Sequence, residues 1–94
     1  MSTGYLSQQQ EKTTRAPSPK PITGATANSK GEIRITCVAH GFATGSHVAI
    51  EGVTGTVEAN HPYWNITVVD GDHFDLRGST FENAYTGGGT ATLV

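Results

Sequence analysis

The groups available for chemistry in this chain are four histidines, one cysteine and eight acidic residues, and their spacing decides what they could do. His40, His47, His61 and His73 form no i, i+2 or i, i+4 pair with one another or with Cys37, which removes the usual metal-ligand spacings. Each reads as a structural histidine, with His40 expected to hydrogen-bond across its own turn. Cys37 shares a face with Ile33 and Ile35, so it reads as a buried small hydrophobe and not as a nucleophile, and a lone cysteine builds no internal disulfide. Asp70-Gly71-Asp72-His73-Phe74-Asp75 has the acidic rhythm that opens a calcium loop, yet lacks the later bidentate Glu and falls where a hairpin turn is expected. Gly87-Gly88-Gly89 is followed by neither Lys-Ser/Thr nor a helix, so it is a loop needing positive φ and not a phosphate cradle. Asn65-Ile66-Thr67 fits the glycosylation pattern, by chance in a chain without a secretory signal. No Ser/His/Asp order is flanked by the turns of a nucleophile elbow. The expectation is therefore no catalytic residue, no metal and no cofactor. Tyr63 and Tyr85 stay in consideration as rings that could stack on a sugar or a base, against the plainer alternative of cross-strand packing.

The segments that carry these residues read as all β. Glu32-Ile33-Arg34-Ile35-Thr36-Cys37 alternates apolar and polar, and the same period returns at Val48-Ala49-Ile50, Trp64–Val68, Phe74-Asp75-Leu76 and Ala91-Thr92-Leu93. Turn chemistry separates these runs at Ser29-Lys30-Gly31, His40–Ser46, Gly52–Gly55, Asp70-Gly71-Asp72 and Gly87–Gly89. With Ile22–Ala27 as an opening strand the expectation is a small six-stranded antiparallel β-barrel, because short strands with frequent turns remove their edges by closing. The predicted core is Ile33, Ile35, Val48, Ile50, Trp64, Ile66, Val68, Phe74, Leu76 and Leu93, with Phe42 closing one end.

Ahead of the barrel the composition changes. Residues 1–20 hold four apolar side chains and a net charge of +2, from Lys12, Arg15 and Lys20 against Glu11. Residues 21–94 carry −4, three bases against seven acids. Pro17, Pro19 and Pro21 restrict φ at every second position, so residues 1–20 are expected to be an extended arm and residues 21–94 the domain. No apolar run approaches the ~18 residues of a membrane span, and Met1–Gln10 lacks the basic start and apolar stretch of a signal peptide. The expectation is a soluble protein made in a cytoplasm, without membrane contact.

Six segments in order carry a resemblance: Ile22–Thr26, Ala39-His40-Gly41-Phe42-Ala43-Thr44-Gly45, Val48–Gly55, Trp64–Asp70, Phe74-Asp75-Leu76 and Ala84-Tyr85-Thr86-Gly87-Gly88-Gly89-Thr90. Together they resemble the small β-barrel module found in structural proteins of tailed bacteriophages, whose fold is similar to the first catalytic-cysteine half-domain of ubiquitin-activating enzymes. The resemblance covers the domain and none of the arm. The chain departs from the pattern at Asn60-His61-Pro62, where the phage modules commonly have an Asn-Gly step before the aromatic strand. In the ubiquitin enzymes this half-domain is an appendage to the adenylation chemistry, so the resemblance implies a module that binds or builds and is no enzyme.

Three function classes follow. The first is a structural protein of a phage virion, made in the bacterial host cytoplasm: a capsid decoration or head-tail accessory subunit, oligomeric within the particle. Its partners would be capsid, portal or tail proteins, met by Tyr5, Leu6, Pro17 and Pro19 of the arm. The second is a carbohydrate- or host-surface-binding module that uses loops at one barrel end and the tyrosines. The third, a nucleic-acid binder, is opposed by the −4 domain, since phosphate neutralisation supplies much of that affinity and Lys30, Arg34 and Arg77 do not cluster in sequence.

Overall fold

The computed structural model describes residues 18–94. They form β1 (Lys20–Pro21), β2 (Gly24–Ala27), β3 (Ile33–Thr36), β4 (His47–Glu51), β5 (His61–Asp70), β6 (His73–Leu76) and β7 (Thr90–Leu93), with a single 3-10 turn at Val57–Ala59 and no α-helix among the described residues. Every pairing is antiparallel, in the order β1-β7-β4-β5-β6-β3-β2. The sheet is curled into a small barrel-like shell.

The two edge strands are successive pieces of the chain. Only Ile22 and Thr23 separate β1 from β2, and alternating direction around the sheet makes the two run the same way. The Ile22 N–H donates to Gly89 O at 2.9 Å on the β7 side, and the Thr23 N–H donates to Thr36 O at 2.9 Å on the β3 side. The expected opening strand Ile22–Ala27 is thus longer and kinked: it begins at Lys20 and changes partner midway, which turns six expected strands into seven. Pro21 fits β1 because an edge position tolerates a residue without an N–H.

Alternation translates directly into burial. Ile33 and Ile35 are fully buried while Arg34 and Thr36, which alternate with them, face partly outward, and Val48 and Ile50 repeat the pattern on β4. Cys37, Ile66, Phe74 and Leu76 complete the centre, and Ile22, Val53, Ala59 and Ala91 close it from the flanks. Three predicted core positions differ. Trp64 and Val68 pack against the core only half-buried, while Phe42, expected to close one end, also packs against it half-buried. Leu93 is 37% exposed, because it sits at the end of β7, and the interior position on that strand is filled by Ala91 opposite Ile50.

Asp75 breaks the alternation of β6. It lies between buried Phe74 and Leu76 and is itself buried, where Arg34 across the β3–β6 pair donates from Nε at 2.8 Å and from Nη2 at 3.2 Å. Asn28 Nδ2 adds a third donor at 2.9 Å. Burial alone would raise the Asp75 pKa, but the Arg34 and Asn28 hydrogen bonds outweigh it and hold the carboxyl below its ordinary value.

Candidate functional site

The residues expected to meet partners gather at the start of the chain. Tyr5, Leu6 and Pro17 lie outside the described residues; Pro19 is exposed immediately ahead of β1. The described part of the chain therefore enters the barrel at a sheet edge, where among the described residues β7 is the only strand beside β1.

His40 does what its sequence position predicts. Its Nδ1 accepts the Phe42 N–H at 2.9 Å, which leaves the proton on Nε2 to donate to Asp70 O at 2.8 Å. The imidazole is buried and packs on Phe42 and Phe74, with ring centroids 5.3 and 5.4 Å away. It ties the 38–42 turn to the β5–β6 hairpin. The acidic pair in that hairpin is likewise occupied with backbone donors: Asp70 accepts the Asp72 N–H and lies 2.8 Å from His73 Nδ1, and Asp72 accepts the Ala39 N–H at 2.9 Å. The Asp72 N–H and the His73 contact keep the Asp70 carboxyl below its usual pKa. Among the described residues, no three His, Cys, Asp or Glu side chains converge as a metal-ligand set.

The two tyrosines part company. Tyr85 is half-buried, with Oη 2.8 Å from Gly88 O and 3.1 Å from Ile22 O, so it latches the glycine loop to the kink between β1 and β2. That loop needs its glycines, since Gly87, Gly88 and Gly89 all have positive φ and a Cβ on Gly89 would press into Val53. Tyr63 is 57% exposed, and its ring stacks on His47 at 4.5 Å with 13° between the planes.

Tyr63 follows directly on Pro62, one of the residues that line an open concavity of the barrel surface. β4 and β5 are in register at Val48 and Trp64, but the next pair is Ile50 with His61, so Ala49 alone faces both Pro62 and Tyr63. Pro62, which has no N–H to donate to a ladder, sits in this bulge, where β5 is paired with β4 alone because its ladder with β6 covers only Ile66–Asp70. The Asn60 side chain fixes the approach to it, accepting the Val53 N–H and donating to Val53 O, both at 2.9 Å. The splayed strands leave an open cleft of about 380 Å³ lined by Ala49, Ile50, Glu51, Asn60, His61, Pro62 and Thr92. Within it Glu51 supplies a carboxylate and Thr92 a hydroxyl, while Ala49 and Pro62 supply apolar surface. No Lys or Arg lines it. Sequence reasoning singled out Tyr63 but missed Glu51, Thr92 and His47 as a group; it began the strand at Trp64, whereas β5 begins at His61 and so takes in Pro62, the residue type that could have signalled the bulge. Compared with known proteins, the chain matches no protein-family model and no curated protein.

Proposed function

We propose that the chain is a non-enzymatic structural subunit of a tailed-phage particle, held to its neighbours by the segment that precedes the barrel. The observation that carries this reading is where the chain joins the sheet. β1 is an edge strand of two residues, Pro19 ahead of it is exposed, and Tyr85 secures the following kink through main-chain oxygens. Ser18 and Pro19, the described residues ahead of β1, are both exposed and so accessible to a partner. The +2 charge of residues 1–20 against −4 in the rest favours contact with an acidic neighbour, a second copy of the same barrel included. Tyr5 and Leu6 supply apolar anchors, and Pro17, Pro19 and Pro21 reduce the entropy lost when the segment docks. The resemblance of residues 22–90 to the phage barrel module names the setting, with capsid, portal or tail proteins as partners.

The test is incorporation of the full-length chain into particles. Changing Tyr5→Ser and Leu6→Ser together should deplete the protein from purified particles while its thermal midpoint stays unchanged. Full occupancy by that variant would move the attachment to the barrel surface, and absence of the unaltered protein from every particle fraction would overturn the virion assignment.

A further inference from the structure

We infer that the cleft on the outer face of β4, β5 and β7 is a binding site for a neutral saccharide, with Tyr63 as its stacking platform. This inference is independent of attachment through residues 1–19. The ring of Tyr63 is preorganised, because His47 backs it at 4.5 Å in a near-parallel stack, and it nevertheless remains 57% exposed. A large aromatic surface held rigid in solvent suits the apolar face of a pyranose, which covers it with little loss of side-chain freedom. The cleft of about 380 Å³ beside Pro62 has room for one or two sugar rings, and its lining combines apolar Ala49, Ile50 and Pro62 with polar Glu51, Asn60, His61 and Thr92. Glu51 and Thr92 stand one register step apart, since Thr92 pairs with Ala49 and Thr90 with Glu51. Among the described residues neither the Glu51 carboxylate nor the Thr92 hydroxyl has a hydrogen-bond or ion-pair partner, so toward these residues both are available to ligand hydroxyls. His61 adds a donor: its Nδ1 accepts the Tyr63 N–H at 3.2 Å, which leaves the proton on Nε2.

Other ligand chemistries fit less well. An anionic sugar or a nucleic acid meets the Glu51 carboxylate, a −4 domain and a cleft with no Lys or Arg. A peptide cannot add as a strand, because β4 is paired on both sides by β5 and β7 and its main chain is already spent. Hydroxyl-rich, uncharged ligands match what remains: one aromatic plane, a carboxylate acceptor, a hydroxyl and an imidazole N–H.

The experiment screens the full-length protein against immobilised neutral oligosaccharides (glucose-, galactose- and N-acetylglucosamine-based) beside sialylated and sulfated ones, then maps the best binder by amide chemical shifts. Binding should be confined to neutral glycans, and shifts should centre on Ala49, Glu51, Tyr63 and Thr92. Tyr63→Ala should weaken binding at least tenfold and Glu51→Gln several-fold, with unchanged thermal midpoints, while the Tyr5→Ser, Leu6→Ser variant should bind like the unaltered chain. Glu51→Gln keeps the side-chain size at an exposed position, so it remains informative if Tyr63→Ala proves unstable. The proposal is overturned if no neutral glycan binds, if only anionic ones bind, if the shifts map elsewhere on the barrel, or if both substitutions leave affinity intact.

Discussion

At the residue scale, Cys37 and Trp64, both read from the sequence as packing residues, serve packing in the fold. Cys37 is fully buried, and burial raises its thiol pKa, an effect that nearby Lys20 only partly offsets. A thiol reagent should therefore label native Cys37 no faster than the protein opens, and Cys37→Ala should cost only about 1 kcal/mol for the small void it leaves. Rapid labelling of the folded protein would contradict the burial. Trp64 is half-buried, yet its indole packs on the core, touches the His61 ring at 5.2 Å and donates from Nε1 to Ala59 O at 2.8 Å. Trp64→Ala should destabilise by about 3 kcal/mol, and Trp64→Phe, which keeps most of the packing, by about 1 kcal/mol for the lost hydrogen bond. Chemical denaturation separates these losses; equal values would mean that the hydrogen bond carries all of the effect. Gly55 is the residue where a single methyl should matter most. Its φ is +82°, and a Cβ there would run into the Ala84 carbonyl and the Thr86 N–H. Gly55→Ala should therefore prove more damaging than Gly31→Ala, whose φ is also positive but whose Cβ meets nothing.

At the scale of elements, the long connection between β6 and β7 is held by a few isolated main-chain bonds and by side chains, without a continuous ladder. Thr54 and Gly87 form its isolated bridge, buried Thr56 donates to Asn83 O at 2.7 Å, and the Glu58 carboxylate gathers the Glu82 N–H, the Asn83 N–H and Asn83 Nδ2. Partial burial pushes the Glu58 pKa up, but these three donors prevail and bring it down to about 2. A carboxylate whose folded pKa lies below its unfolded value stabilises the fold above the unfolded pKa, near 4.5, and loses that contribution as the pH falls toward 2. Glu32 and Asp75 are lowered as well, Glu32 chiefly by the Gly78 N–H, so they add to the same acid limb. The thermal midpoint should fall between about pH 4.5 and pH 2, and Glu58→Gln should start lower at pH 7 and fall less steeply across that window. Parallel acid limbs for the two proteins would show that Glu58 is not the anchor.

For the whole molecule, the decisive feature is the kinked strand that supplies both edges of the sheet. Its junction carries Ile22, only 4% exposed, and the Tyr85 latch, so β1 belongs to the folded unit although it contributes just two residues. A chain beginning at Pro19 should melt within about 3 °C of the full-length protein. One beginning at Gly24, which loses β1 and Ile22, should lose several kcal/mol and with it most of the stability of so small a domain. Calorimetry of the two truncations decides between an edge that closes the barrel and one that merely decorates it.

What the sequence determined by itself is what local rules control. The period-two alternation of Ile33, Ile35 and Cys37, of Val48 and Ile50, and of Phe74 and Leu76 placed the buried faces, because side chains on a strand must alternate. Turn residues placed the breaks, and the flanks of His40 announced its cross-turn hydrogen bond. Contacts between segments far apart in sequence were decided only by the tertiary structure. The burial of Asp75 depends on Arg34, 41 residues away, and the seam depends on Tyr85 reaching Ile22, 63 residues away; neither partner leaves a local mark. Leu93 and Ala91 have the same pattern on paper, and only the position of the barrel's rim exposes the larger one. The cleft is the intermediate case. Pro62 is a local mark once the strand is known to begin at His61, but which residues line the opening depends on β5 pairing with β4 and on β7 lying beyond it, both contacts between segments distant in sequence.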